Sequence, residues 1–164
     1  MLTKSINFIN FKKKKIDKNI NKKLSIILKE KNQILVSLGD FYKYSFKKNN
    51  IKKFKRNSNY RIIGIGGSAL GAKAIYDFLK HKIKKKFIFL DNLNSSFSKD
   101  KKNYTNLIIS KSGNTLETIV NSNIIIKKRD KNILITEKKN SYLYLFAQKL
   151  KADIIHHNNF IGGR

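Results

Sequence analysis

The sequence predicts a three-layer α/β fold, an open parallel sheet flanked by helices, behind an N-terminal helical segment. Two observations carry that expectation. From Tyr60 onward, short runs rich in β-branched residues alternate with stretches of helical pattern, and such alternation implies parallel βαβ units. Two of the strand exits also break into glycines and hydroxyl residues before the next helix, the form of a turn that offers backbone amides to an anion.

The elements follow in order. Residues 1–60 form a helical preface. Within it, Leu24, Ile27, Leu28, Ile34, Leu35 and Leu38 predict one helix from Asn19 to about Tyr44 with an imperfect apolar stripe. In residues 61–164, RIIGIG (61–66), KFIFLD (86–91), NLIIS (106–110), NILIT (132–136) and DIIHH (153–157) read as strands. Most intervals between them read as amphipathic helices. No internal repeat and no Pro/Gly/Ser linker separates the parts. Ligands of open α/β sheets gather at the carboxyl ends of the strands, which singles out GGS, SKSGNT, TEKKN and HHNNFIGGR.

Composition bounds the function. At 164 residues the chain is sized for one domain. It holds no cysteine, which removes disulfides, thiolate metal sites and cysteine nucleophiles. No apolar run has the length of a membrane span, and the N-terminus has the reverse of a secretory signal's order, so a cytoplasmic protein is expected. The formal charge of +27 would ordinarily point to nucleic acid. Here it accompanies 33 Lys, 20 Asn, 25 Ile and no Pro, the bias that A/T-rich codons produce without any selection for a partner. The lysine runs 12–15 and 84–86 also lack the interleaved aromatics of a single-strand binder. Neither a nucleic-acid nor a membrane partner is expected.

The first glycine turn leaves several readings open. Gly64, Gly66 and Gly71 give G-x-G-x-x-x-x-G, which is not the dinucleotide spacing, yet Asp91 ends the next strand where a ribose-binding acid would stand. The glycines could equally serve a tight strand-to-helix turn. The second turn concentrates Ser110, Lys111, Ser112, Gly113, Asn114 and Thr115 before a helix. Asn114 followed by Glu117 fits a helix cap and its partner. Short hydroxyls, free amides and one ammonium together suit a phosphate monoester, and a sugar phosphate is the economical ligand.

GIGGSALGAKA, followed some forty residues later by ISKSGNTLET and at the end by FIGGR, resembles the sugar-isomerase (SIS) domain of the glucose-6-phosphate isomerase family. The resemblance runs from about Arg61 to Arg164 and implies a Rossmann-like, SIS-type sheet. It implies that Gly67 and Ser68 contact the sugar, and that Ser110, Lys111, Ser112 and Thr115 hold the phosphate. Gly113 and Asn114 would contribute backbone contacts, and Arg164 would stabilise the enediolate. The implied reaction interconverts glucose 6-phosphate and fructose 6-phosphate, a step of glycolysis and gluconeogenesis, with no metal or organic cofactor and usually in a homodimer.

In one respect the chain departs from the family. The family's glutamate base, ring-opening histidine and late lysine follow GGR, so a fragment or truncated product, inactive alone, is expected. Glu117 reads as a capping residue, and His156 and His157 as structural or solvated. The alternatives are a bifunctional phosphoglucose/phosphomannose isomerase, a non-catalytic sugar-phosphate module and an NAD-binding protein resting on Asp91.

Overall fold

The computed structural model describes residues 18–30, 32–54, 59–93, 104–127 and 130–162. The chain divides into two compact units, Met1–Tyr42 and Lys43–Arg164. In the first unit, α1 covers Lys18–Lys29 and α2 covers Gln33–Ser37. One helix to about Tyr44 was expected, and the structure corrects this to two. The Asn32 side chain accepts from the Ile34 amide at 2.8 Å, so it caps a new helix, and the chain leaves that helix in a turn at Leu38 and Gly39.

The second unit begins with α3, Lys48–Lys52. Five strands follow: β1 Asn59–Ile63, β2 Phe87–Leu90, β3 Tyr104–Ile109, β4 Lys131–Thr136 and β5 Asp153–His156. All pair in parallel, in the order β2-β1-β3-β4-β5. Between them run α4, Leu70–Leu79, α5, Leu116–Ile125, and α6, Tyr142–Lys149. Each strand lies within a few residues of its expected place because its β-branched run is bounded by turn residues.

Alternation along the strands sorts their side chains onto two faces. Register aligns Ile63 with Ile108 and Ile108 with Leu134. These three form the buried core with Leu143 and Ala147 of α6, and Ile119 and Ile125 of α5 pack against it. Each fully buried Leu or Ile contributes about 1.5–3 kcal/mol. The opposite face carries Tyr60, Ile62, Phe87 and Phe89. There the Tyr76 ring of α4 lies 5.1 Å from Phe87 and 5.9 Å from Phe89, centre to centre. With α4 on one face and α5 and α6 on the other, the second unit has the three layers expected.

Near the amino ends of the strands the core face turns polar. Arg61, Asn106 and Asn132 stand in register on β1, β3 and β4. Arg61 Nη1 donates to Asn106 Oδ1 at 3.2 Å, and Asn106 Nδ2 donates to Asn132 Oδ1 at 2.8 Å. Asn106 is fully buried, so a slipped register would strand its amide without partners. The ladder therefore pins the alignment that brings the strand exits level at the opposite edge.

Candidate functional site

The chain passes from β1 to β2 on one side, then returns to place β3 on the other side of β1. This reversal leaves a crevice outside the carboxyl ends of β1 and β3, the position where open α/β sheets take ligands. Both predicted turns open there. Gly64 follows β1 and has no room for a side chain: a Cβ would lie 2.8 Å from the Ile109 carbonyl oxygen and 3.2 Å from Ser68 Cβ. Gly64 thus stands between Ser68 and Ile109, the residue that precedes Ser110.

The first turn is short. Gly66, at φ +56°, admits the left-handed step that starts a 3-10 turn over Gly66–Ser68. Gly67 is exposed and Ser68 half-buried. The Ser68 amide is taken by the Ile65 carbonyl at 3.1 Å. Asp91, the acid behind the nucleotide reading, accepts from Lys73 Nζ of α4 at 3.1 Å. It is held by its own chain.

The second turn is organised by its own hydroxyls. Ser110, 2% exposed, accepts from the Gly113 amide at 3.2 Å and shares a 2.9 Å hydrogen bond with the Thr115 hydroxyl. Ser112 Oγ accepts from the Asn114 amide at 3.2 Å. Thr115 is the N-cap residue of α5, but its side chain makes no capping bond. The expected cap by Asn114 is therefore corrected: Asn114 Oδ1 accepts from the Tyr142 amide at 2.9 Å, so it caps α6 instead. Thr115 thus leaves the first turn of α5 without a side-chain cap of its own, and a helix start carries free amides and a positive dipole end.

The carbonyls of this turn face the other way, into the turn between β4 and α6. Lys111 O accepts from the Glu137 amide at 3.1 Å, and Gly113 O accepts from the Leu143 amide at 3.0 Å. Gly113 is buried against Ser141 and Thr136 at φ +68°, a position that only glycine fills without strain. Sequence reasoning marked TEKKN as a strand exit but missed Glu137. This residue is 9% exposed, and its carboxylate lies 3.9 Å from Lys111 Nζ and 2.9 Å from Lys139 Nζ. A carboxylate at the exit of the strand beside β3 was the available signal.

Among the predicted site residues, the structure brings together Ser68 and the turn beginning at Ser110, with Gly67 in the adjoining turn. Arg164 lies outside the described residues. His157 Nδ1 is 2.8 Å from the Asn158 carbonyl oxygen, and the His156 carbonyl accepts from Ser45 Oγ. Among the described residues, no group of three or more His, Asp or Glu could hold a metal. None of the described helices is long and apolar enough to cross a membrane.

No family model matches the chain. The glucose-6-phosphate isomerase of Borreliella afzelii (strain PKo) is 36% identical over 140 residues, which cover 73% of this chain and 26% of that protein. The glucose-6-phosphate isomerase of Borrelia garinii subsp. bavariensis is 38% identical over 135 residues, covering 70% of this chain and 25% of that one. The chain thus spans about a quarter of the length of these relatives. Among solved structures, tagatose-6-phosphate ketose/aldose isomerase from Escherichia coli matches with a TM-score of 0.52 at 19% identity, over 68% of this chain and 33% of that one. That likeness shows the fold alone. On its similarity to these curated relatives, over the part of them that it spans, the chain belongs to the glucose-6-phosphate isomerase family.

Proposed function

We propose that the crevice between the β1 and β3 exits is the hexose-phosphate-binding part of a glucose-6-phosphate isomerase. One observation carries the reading: the two turns open side by side at the switch point, with Gly64 closed against Ile109 and Ser68. In this reading residues 61–164 are the sugar-phosphate domain and residues 1–60 its helical preface. Gly67 and Ser68 contact the sugar. Ser110, Lys111, Ser112 and Thr115 take the phosphate, with backbone contacts from Gly113 and Asn114. A dianionic monoester suits the uncapped start of α5, and the Lys111 ammonium adds a point charge.

The reaction moves the C2 proton of the open-chain aldose to C1 through an enediolate. Arg164 has the electrostatic role there, because a guanidinium stays charged and directs donors at the developing oxyanion. The two turns bind and orient. Proton transfer falls to a carboxylate that neither turn supplies, and these 164 residues by themselves bind hexose 6-phosphate without turning it over. The proposal includes a homodimer, a cytoplasmic setting and no nucleic-acid partner. Isothermal titration with fructose 6-phosphate tests the site, and absence of binding refutes it. A coupled dehydrogenase assay tests the division of labour, which turnover at ordinary enzymatic rates would contradict.

A further inference from the structure

We propose that Glu137 is a positioning residue that competes with the phosphate monoester for Lys111, holding the ammonium at the crevice when the site is empty and easing the ligand's release. The inference rests on the phosphate-binding role given to Lys111 above. Glu137 is 9% exposed, and a carboxylate taken out of water needs a cation beside it. Two cations stand there on unequal terms. Lys139 Nζ is at hydrogen-bond distance, 2.9 Å, whereas Lys111 Nζ stands off at 3.9 Å, within Coulombic reach but beyond a hydrogen bond.

The inequality has a consequence. Because Lys139 keeps Glu137 paired, Lys111 can turn to an arriving dianion without stranding a buried charge. The backbones are tied as well, since the Glu137 amide donates to the Lys111 carbonyl at 3.1 Å. That bond ties the exit of β4 to the β3–α5 turn, so the two side chains start from neighbouring backbone. The resident carboxylate opposes the ligand twice, by attracting Lys111 and by repelling the phosphate. Removing its charge therefore tightens binding, the opposite of what loss of a merely structural side chain does.

The test is calorimetric titration of the full chain with fructose 6-phosphate, using wild type, Glu137→Gln, Lys111→Met and the double variant. Glu137→Gln is expected to bind about two- to fivefold more tightly, the range for one partly exposed charge pair. The gain is expected to shrink in the Lys111→Met background, where only the direct repulsion of the phosphate is left to relieve. Glu137→Asp, which keeps the charge, is expected to retain wild-type affinity. Thermal melts check that each variant folds, and Glu137→Ala carries the same expectation if the glutamine variant does not. Unchanged or weakened affinity in a folded, uncharged variant overturns the inference, as does an equal gain without Lys111. Failure of the wild type itself to bind fructose 6-phosphate defeats the proposed site, and this inference with it, before any variant is compared.

Discussion

Replacing Gly113 by alanine probes the joint between the turn before α5 and the turn before α6. Gly113 has φ +68°, and a Cβ there would lie 2.2 Å from Ser141 Oγ, 2.8 Å from Ser141 Cβ and 2.9 Å from Thr136 Oγ1. The left-handed conformation costs an L-residue about 1–2 kcal/mol. Overpacking a filled site adds about 1–3 kcal/mol. Ser141 is buried, 3% exposed, and the expected loss is about 2–5 kcal/mol in total. Urea unfolding at constant m measures it. Ser141→Gly removes two of the three close contacts but leaves the backbone strain, so in that background the loss should fall to about 1–2 kcal/mol plus the remaining contact with Thr136. A loss below about 0.5 kcal/mol for Gly113→Ala, or no relief from Ser141→Gly, refutes the packing argument.

Other outcomes follow from the same geometry. Gly64→Ala sets a methyl against the Ile109 carbonyl oxygen; it should cost about 1–3 kcal/mol in urea unfolding and weaken fructose 6-phosphate binding by spreading the two exits. Asn114→Ala removes the cap of α6 and should lower stability by about 1 kcal/mol, whereas Asn114→Asp keeps the acceptor and most of the stability; equal losses would exclude the cap. Asp91→Asn breaks the pair with Lys73 and should cost under about 1 kcal/mol. In thermal melts fructose 6-phosphate should raise the wild-type midpoint and NAD should not, and a midpoint raised by NAD would restore the nucleotide reading.

The parallel sheet was legible because each strand is a compact β-branched run bounded by turn residues, and such runs carry their own conformational preference. The N-terminal helix was read too long for a related reason. The apolar spacing from Leu24 to Leu38 runs past Asn32, and periodicity alone does not reveal that this side chain folds back onto the Ile34 amide. The second turn was legible as a strand-to-helix corner that gathers hydroxyls and one lysine. The task of each hydroxyl was not, because Ser110 and Thr115 bond each other while Asn114 reaches a helix 28 positions further on.

By itself the sequence determined the five strands, the two glycine corners before helices and the residue types gathered at each. These depend on steric and hydrogen-bonding preferences that act across a few bonds of the chain. Only the tertiary structure decided that β1 and β3 are neighbours, that Asn114 caps α6 rather than α5, and that Glu137 stands against Lys111. Those relations join residues far apart along the chain, and they exist only once the strands have paired in register and the helices have closed over both faces.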